Sequence, residues 1–392
     1  MTTRKPILAS LAILSCTLAL VGCDLMQKEG DESLLEKKEL SMLSVNYRAI
    51  VSDADLIYKS PAEVPVEGQP IGNGRMGTLI WTTPGTVQMQ INRTDVFAVN
   101  KYHAGPRRGP TDYCSGCAKV TIDFGGKPFQ SGEAFRQHLS LYEAECTIKG
   151  EGLNVRCFVS STSDVLALEI NDQREEPQPL RVNVSMWRPP EVKTGDHLAR
   201  YTFRDDRKNI LIIQHFDERD YHCASAVAAR IAGYQIQSEK SSERSRILVA
   251  PAQKGKRTIL ISSSASWSPQ EDVGSKATEI LNEASAKSYD VLRQEHVRWW
   301  SGFWSRTFVH ISSPDGVGSF MERIRNLHLY YMGSTSRGKL PAKWNGSIFV
   351  TDGDARHWGS QFWVWTTEIS HFPLYASDAV DLTEPFWRMY LK

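Results

Sequence analysis

Apolar and polar side chains alternate through much of the first two thirds of the chain. In residues 120–124 and 180–184 every second side chain is apolar, which is typical of a strand with one buried and one solvated face. Turn signals such as Gly125-Gly126 and Pro189-Pro190 separate these runs. The pattern predicts strands at residues 79–98, 118–124, 165–171, 180–187, 210–216, 246–249 and 257–264. So many short strands favour a large antiparallel β-sandwich.

The period changes to that of a helix near residue 275. Residues 275–306 contain neither Gly nor Pro before Gly302, and their apolar residues recur at spacings of three and four. His296, Trp300 and Trp304 share one helix face, which we expect to pack against the sandwich. A second helical run covers residues 320–333, and its apolar face carries Phe320, Ile324, Leu327 and Tyr331.

The composition of the 392-residue chain limits the classes of protein it can belong to. A hydrophobic fraction of 41% supplies a core, which excludes long intrinsic disorder as the main state. The 46 basic and 45 acidic side chains nearly cancel, whereas proteins that bind nucleic acids have a basic excess. We therefore expect no nucleic-acid partner, and the length predicts about two domains.

The first 23 residues have the pattern of an export signal. Two basic residues precede an apolar stretch, residues 6–20, that is short for a membrane span. Residues 20–23, Leu-Val-Gly-Cys, resemble the bacterial lipobox, in which the cysteine is acylated and becomes the new N-terminus. Residues 24–44, polar and rich in charge, would then be a tether. The sequence thus predicts a lipoprotein anchored through Cys23 in the bacterial cell envelope, on the periplasmic side of a membrane or at the cell surface; a plain signal peptide with an incidental cysteine is the alternative.

Five cysteines remain once Cys16 is removed with the signal and Cys23 is lipidated: Cys114, Cys117, Cys146, Cys157 and Cys223. An exported compartment permits disulfides, so Cys146 could pair with Cys157 across adjacent strands, and Cys114 with Cys117 in a small loop. A metal site would instead combine Cys114 and Cys117 with His222 and Cys223, but the chain lacks a second CxxC or an HxxxH. We predict no metal and no cofactor.

Residues 72–77, Gly-Asn-Gly-Arg-Met-Gly, match the GxGxxG pattern of dinucleotide-binding folds. That pattern requires a helix directly after it, whereas residues 78–81, Thr-Leu-Ile-Trp, are strand-like and a Pro-rich stretch precedes the glycines. We interpret the glycines as a tight turn that presents Asn73 and Arg75 from the edge of the sandwich.

Tryptophans crowd the last quarter of the chain. The eight in this region are Trp299, Trp300, Trp304, Trp344, Trp358, Trp363, Trp365 and Trp387. Flat aromatic faces stack on the C–H faces of sugar rings, while carboxylates, amides and imidazoles bind the hydroxyls. Directly before Trp358 stand Asp352, Asp354, Arg356 and His357, and burying so many charges requires pairing or a wet cleft. These residues indicate a carbohydrate partner.

Three motifs in the same order resemble glycoside hydrolase family 95, whose members are related to alpha-L-fucosidases. They are residues 72–77 before a strand, the helix pattern His296, Trp300, Trp304 and Arg306, and residues 340–346, Leu-Pro-Ala-Lys-Trp-Asn-Gly. The resemblance implies a β-super-sandwich over residues 45–270 and a helical linker over 271–315. An (α/α)6 barrel of the six-hairpin glycosidase type, with the active site in its mouth, would begin at residue 316.

This resemblance and the aromatic segment together give the predicted substrate-binding residues: Trp344, Asn345, Asp352, Asp354, His357, Trp358, Gln361, Trp363 and Glu368. The family carries an Asn-x-Asn pair where this chain has Gly359-Ser360-Gln361, so only Gln361 keeps an amide. Twelve helices of about 12 residues plus loops need on the order of 300 residues, and far fewer follow residue 315. We therefore expect an incomplete barrel that lacks the family's general acid and base and exposes apolar helix faces.

Two function classes remain open. One is an exported glycoside hydrolase-like protein of the inverting type that acts on oligosaccharides or polysaccharides, this chain alone being inactive. The other is a non-catalytic, lipid-anchored surface protein that binds glycans. Glycoside hydrolysis needs two carboxyl groups on opposite sides of the sugar. Asp352, Asp354 and Glu368 are the acids of the aromatic segment, and we expect them to contact substrate without transferring protons.

Overall fold

The computed structural model describes residues 45–99, 114–206, 208–234, 239–343, 346, 348–353 and 362–391. Every element named below lies in one unit of the chain, Tyr47–Lys392. Strands occupy this unit up to Ser266 and helices occupy it from Val273 onward, apart from α1 (Tyr47–Ser52) and a 3-10 turn at Pro65–Glu67.

Seventeen strands in these ranges form two antiparallel sheets. In chain order they are β1 (Leu56–Tyr58), β2 (Gln69–Gly72), β3 (Met76–Thr82), β4 (Thr86–Phe97), β5 (Cys114–Asp123), β6 (Arg136–Ser140), β7 (Glu145–Gly150), β8 (Leu153–Val159), β9 (Val165–Asp172), β10 (Leu180–Ser185), β11 (Glu191–Thr194), β12 (His197–Asp205), β13 (Ile210–Glu218), β14 (Tyr221–Ile231), β15 (Glu239–Ser242), β16 (Ser245–Ala250) and β17 (Gly255–Ser266). The ten-stranded sheet has the order β1-β6-β7-β8-β9-β17-β14-β13-β12-β11, and the seven-stranded sheet has the order β15-β16-β10-β5-β4-β3-β2. The predicted sandwich-like architecture is confirmed.

The alternating pattern places the apolar side chains between the sheets. Val120 and Ile122 of β5 are fully buried, whereas the intervening Thr121 is partly exposed. The neighbouring strand β10 repeats this arrangement, with Val182 opposite Ile122 in the antiparallel register. Side chains of both sheets, including Leu168 of β9, belong to one continuous apolar core.

Two features of the sheets differ from the predicted strands. The run at residues 79–98 is two strands, β3 and β4, because the chain turns between Thr82 and Thr86. Several strands were not predicted, the longest of them β14. Its sequence is rich in alanine and has little β-branched character, so it lacks the local strand signal, and pairing with β13 and β17 determines its conformation.

Within the described ranges, five helices follow the sandwich: α2 (Val273–Ser285), α3 (Tyr289–Thr307), α4 (Val317–Thr335), α5 (Val364–Tyr375) and α6 (Glu384–Tyr390). A 3-10 turn at Val380–Thr383 precedes α6. The predicted run at residues 275–306 is therefore two helices, because Ser288 accepts a hydrogen bond from the backbone N–H of Val291 and caps a new helix. None of these helices combines the length and apolar content that crossing a membrane requires.

Helix α3 packs its aromatic face against the sandwich, as predicted. His296, Trp300 and Trp304 are fully buried. The indole N–H of Trp304 donates to the carbonyl of Leu141 at 3.1 Å, and His296 Nδ1 lies 2.9 Å from the hydroxyl of Ser161. Burial lowers the pKa of His296 to about 3, so the imidazole is neutral and acts as a structural hydrogen-bonding group.

Helix α4 is rotated relative to its predicted apolar face. Phe320 and Ile324 are about half exposed, whereas Asn326, Leu329 and Tyr330 are buried. The ring of Tyr330 stacks on Trp300, and its hydroxyl donates to the carbonyl of Pro70 in β2 at 2.7 Å. These contacts orient the helix so that Tyr330, and not Phe320, contacts the sandwich.

Apolar side chains on α4, α5 and α6 remain exposed to solvent, as the sequence predicted for the opening helices of a barrel. Exposed large side chains on these helices include Val317, Phe320, Met321, Ile324, Val364, Trp365, Ile369, Phe372, Tyr375 and Trp387. Single exposed apolar residues are ordinary in soluble proteins, whereas apolar residues grouped on one surface favour association.

Phe320→Glu combined with Ile324→Lys should reduce self-association of the chain, because it removes apolar surface that two molecules can bury together and leaves the net charge unchanged. Sedimentation velocity over a range of concentrations would show a lower average mass for this variant. The matched control, Val291→Glu with Ile311→Lys, replaces exposed apolar side chains outside the three helices and should sediment like the parent. Equal association of all three proteins would contradict the expectation.

Candidate functional site

The glycine-rich motif forms the turn between β2 and β3. Asn73 Oδ1 accepts the backbone N–H groups of Arg75 and Met76, both at 3.0 Å, and Gly74 has a φ of +83°. Strand β3 follows directly, so the predicted tight turn is confirmed. Asn73 is fully buried and its amide donates to the carbonyls of Ser160 and Ser163. The prediction that the turn presents Asn73 was therefore wrong, because hydrogen bonds to the turn backbone and to the segment between β8 and β9 occupy that side chain.

Arg75 is the partly exposed end of a network of four charged side chains linked by ion pairs. Its Nε donates to Asp164 at 2.6 Å, and the other oxygen of Asp164 accepts from Arg93 Nη1 at 2.9 Å. Arg93 also binds Asp95 through two parallel hydrogen bonds of 2.8 and 3.0 Å. Although burial acts to raise it, the two guanidinium groups lower the pKa of Asp164 to about 2. Asp164 is consequently held ionised by its two arginine partners.

These four residues line a cavity of about 180 Å³ at the junction of the sandwich and the helices, which we call the junction cavity. Helix α2 contributes Lys276 to its wall, and the segment after α4 contributes Gly338 and Lys339. Strand β4 adds Thr94, which is 3% exposed and whose Oγ1 has no hydrogen-bond partner in the part of the chain that the structure describes. The cavity thus joins parts of the chain that are far apart in sequence.

Positive charge exceeds negative charge around the junction cavity. The two carboxylates are bound by Arg93 and Arg75, whereas Lys276 and Lys339 are exposed and have no ion pair within the described ranges. Arg337, next to the lining residue Gly338, lies 3.5 Å from the centre of the Trp299 ring and donates to the carbonyl of Ser161. Burial and the nearby charge of Arg75 lower the pKa of Arg337 to about 9. A negatively charged group would therefore be favoured here.

Aromatic rings stand beside the junction cavity and form what we call the rim cluster, Phe97, Tyr221, Trp267 and Phe362. Phe97 stacks on Tyr221 and makes edge contacts with Trp267 and Phe362. The indole N–H of Trp267 donates to the carbonyl of Asp95 at 3.0 Å, and Lys339 lies 5.5 Å from the centre of its ring. Because Trp267 is about one third exposed, it offers an aromatic surface next to the charged groups.

A loop after α4 lies across the outer face of β4. Asn92 donates to the carbonyls of Ile348 and Val350, and the amide of Gln90 exchanges hydrogen bonds with the backbone of Gly353. These buried side-chain amides satisfy backbone groups of the loop that would otherwise need hydrogen bonds from a neighbouring strand. They hold the exposed side chain of Asp352 at the surface of the seven-stranded sheet.

Three of the predicted substrate-binding residues are described by the structure. Asp352 is exposed on the β4 loop, Trp363 is the exposed residue before α5, and Glu368 is partly buried on α5. Phe362 of the rim cluster directly precedes Trp363. Trp363, at the start of α5, therefore lies close to the rim cluster. The other predicted residues, Trp344, Asn345, Asp354, His357, Trp358 and Gln361, lie outside the described residues, as does Cys23.

The sequence did not indicate the residues of the junction cavity except Arg75. Arg93 and Asp95 are two residues apart on a strand. Two opposite charges at this spacing in a mostly apolar run are the one local signal that could have identified these two residues as a pair. Asp164 lies 71 residues from Arg93, and Lys276 and Lys339 resemble ordinary surface lysines. Only the fold places these groups together.

The cysteines described by the structure carry free thiols: Cys117, Cys146, Cys157 and Cys223. Cys146 and Cys157 are directly opposite on β7 and β8, so the predicted adjacency is correct, although they form no disulfide. Cys117 is also free, and the suggested loop stays a prediction, because the side chain of Cys114 lies outside the described part of the chain. Burial raises the pKa of Cys117 and of Cys223 to about 12. No group of three His, Cys, Asp or Glu side chains in the described ranges is arranged to hold a metal ion.

A larger surface depression of about 760 Å³ lies among the hairpin turns that follow β5, β7 and β9. Its arginine, Arg174, uses all three nitrogens within the protein, on Asp172 and on the carbonyls of Phe124 and Gly125. In the junction cavity, by contrast, Lys276 and Lys339 have no ion pair within the described ranges, so the junction cavity is the better candidate site.

Comparison with protein-family models matches residues 57–222 to a "Domain of unknown function (DUF5703)". Curated protein sequences give no match. A solved structure described as a candidate kojibiose phosphorylase from human microbiome is 10% identical, with a TM-score of 0.46, covering 76% of this chain and 44% of that one. A GH92 family glycosyl hydrolase is 11% identical, with a TM-score of 0.46, covering 87% of this chain and 48% of that one.

An inverting mannosidase of family GH92 from Bacteroides thetaiotaomicron is 12% identical, with a TM-score of 0.43, covering 76% of this chain and 41% of that one. The chain spans less than half the length of each of these three structures. The two glycoside hydrolases named here belong to family 92, so these findings give no specific support to the resemblance to family 95. The activities in these descriptions are those of the other proteins.

Asp164→Asn should destabilise the chain by about 2 kcal/mol at pH 7, because an amide cannot neutralise Arg93 and Arg75. The folded-state pKa of Asp164, about 2, is lower than its ordinary value of 3.8. The carboxylate therefore stabilises the fold fully above its ordinary pKa, and this stabilisation is lost as the pH falls from about 4 to about 2.

Urea denaturation at several pH values would test this expectation. The difference in unfolding free energy between the parent and Asp164→Asn should shrink across that acidic range. The control, Asp378→Asn, changes an exposed carboxyl group at a positive φ that asparagine also tolerates. A loss of stability at pH 7 that is equal in the two variants would show that the ion pairs of Asp164 contribute nothing particular.

Proposed function

We propose that this chain binds glycans at the junction cavity and its rim cluster, as part of a glycoside hydrolase-like protein that acts on oligosaccharides or polysaccharides. The observation that carries this proposal is the juxtaposition of fixed charged groups and exposed indole surface at one opening. Sugar hydroxyls pair well with ionised acids and guanidinium groups, and sugar C–H faces stack on indole rings. Trp267, Asp95 and Lys339 stand together in this way.

The electrostatics of the cavity favour binding over proton transfer. A general acid for glycoside hydrolysis needs a carboxyl group whose pKa is raised, so that it holds a proton near neutral pH. Among the described residues, each Asp or Glu whose pKa is shifted has it shifted downward, as for Asp164, Asp172 and Asp217. The binding role is shared by both function classes that the sequence leaves open, an enzyme and a glycan-binding lipoprotein.

The collinear motifs from residue 72 onward support a protein of glycoside hydrolase type without assigning its family. Residues 340–343 of the third motif pack onto the sandwich, where Tyr331 donates to the carbonyl of Lys343 and Lys343 is buried over the rings of Phe97 and Phe362. That motif therefore supports one wall of the rim cluster. We propose that Trp363 extends the site from this wall and that the other predicted substrate-binding residues contact the same glycan.

Trp267→Ala and Trp363→Ala should each weaken retention of the chain in native gels that contain its polysaccharide, because each removes an exposed indole from the proposed site. A panel of plant and bacterial polysaccharides provides the ligands. Trp365→Ala is the matched control: Trp365 is more exposed, at 67%, and follows Trp363 by two residues on α5, which is about 200° around a helix. Retention that is unchanged in the first two variants, or equally weakened in all three, would remove these tryptophans from the site.

The same purified chain should not hydrolyse aryl glycosides, since each described Asp or Glu whose pKa is shifted has it lowered, which disfavours the protonated form that a general acid needs. Detectable hydrolysis that survives Trp267→Ala would place catalysis elsewhere in the chain and contradict the proposed site.

We propose further that the chain acts in the bacterial cell envelope, held by a lipid on Cys23. The support is the sequence of residues 1–23. In a bacterial host, Cys23→Ala should abolish incorporation of labelled palmitate and move the chain out of the membrane fraction. Cys16→Ala, which changes a cysteine of the same segment, should keep both properties. Equal labelling of the two variants would contradict lipidation at Cys23.

A further inference from the structure

We propose that the junction cavity binds the negatively charged substituent of an acidic glycan, a carboxylate or a sulfate ester, while the sugar ring lies at the rim cluster. This inference rests on the proposed glycan-binding function and names the class of glycan. It depends on the size of the cavity, on the charges that remain unpaired around it and on one uncommitted hydroxyl group.

The size of the junction cavity suits a substituent and not a whole sugar. Its volume of about 180 Å³ is below the roughly 300–1,000 Å³ of pockets that enclose a complete small ligand. It corresponds to roughly six water molecules at about 30 Å³ each. A carboxylate or sulfate group fits this space, and the ring that carries it would then meet Trp267 outside.

The lining provides more cationic groups than its own acids use. Asp95 and Asp164 are bound by Arg93 and Arg75, but the two η nitrogens of Arg75 make no hydrogen bond within the described ranges. Lys276 of α2 and Lys339 of the segment after α4 both line the cavity, and neither is paired with an acid within the described ranges. An oxyanion in the cavity could accept charge-assisted hydrogen bonds from these lysines.

A buried hydroxyl group adds a donor of fixed position. Thr94 lies in the cavity wall, is 3% exposed, and its Oγ1 has no partner among the described residues. A buried hydroxyl group without a partner costs free energy, which a bound oxygen acceptor would recover. Arg337 Nη1 nearby is buried and without a partner in the same way, and its charge adds to the excess.

Affinity electrophoresis of the full chain would test the proposal with matched polysaccharides. The pairs are dextran sulfate with dextran, and polygalacturonate with its carboxyl-reduced form; polyphosphate serves as a polyanion without sugar. We expect at least one acidic member to retard the chain more than its neutral partner. Lys276→Met with Lys339→Met should weaken that binding roughly tenfold, because two charge-assisted contacts are lost. Both lysines are exposed, so the variant should fold.

The control, Lys149→Met with Lys208→Met, removes the same charge from exposed positions outside the cavity and should bind like the parent. The inference is overturned if no acidic polysaccharide retards the chain, if the control loses as much binding, or if polyphosphate binds equally well with the same dependence on Lys276 and Lys339. Retardation by neutral polysaccharides that depends on Trp267 would overturn the inference and leave the proposed function standing. Acidic binding that needs the lysines but survives Trp267→Ala would support charge recognition and contradict the proposed function.

Discussion

The buried guanidinium group of Arg93 imposes the constraint on which this part of the molecule depends. Its side chain is 5% exposed, and a charge so removed from water is tolerated only when it is paired and fully hydrogen-bonded. Its partners come from three places: Asp95 on β4, Asp164 between β8 and β9, and the carbonyl of Ser263 on β17. One charge therefore ties the seven-stranded sheet to the ten-stranded sheet. Asp164 in turn binds Arg75, which brings the β2–β3 turn into the same network.

Two kinds of packing attach the helices to this framework. Helices α3 and α4 bury Trp300, Trp304 and Tyr330 in an aromatic contact, and α2 buries Ala277 and Leu281 in a second apolar cluster on the sandwich. By contrast, Lys276 of α2 and the segment after α4 line the charged junction cavity. The apolar contacts supply rigidity, and the cavity presents the charged groups. A site of this kind has its fixed acids and arginines on the strands and turns of the sandwich and its adjustable lysines on the helical side, so ligand contacts can vary without disturbing the network beneath.

The sequence was informative wherever a local period or a turn dominates. Alternation in β5 and β10 predicted the sandwich, and the spacing of His296, Trp300 and Trp304 predicted the packing face of α3. It was less informative where tertiary contacts decide: β14 is a strand because its neighbours pair with it, and α4 turns Tyr330 inward because a carbonyl of β2 accepts its hydroxyl group. Apart from Arg75, the residues of the junction cavity could not be predicted from the sequence, because they are distant along the chain and each has an ordinary local context. Of the predicted site residues, Asp352, Trp363 and Glu368 have positions that can be compared with it.

The glycines of the β2–β3 turn determine how closely the sandwich and the helices can approach each other. A Cβ atom on Gly72 would lie 2.6 Å from the carbonyl oxygen of Ser334 at the end of α4, and the backbone N–H of Gly74 donates to that same oxygen. The turn touches the helical region through bare backbone, which any larger residue would push away. A side chain at Gly72 or Gly74 would act as a spacer that widens the gap between the sandwich and the end of α4.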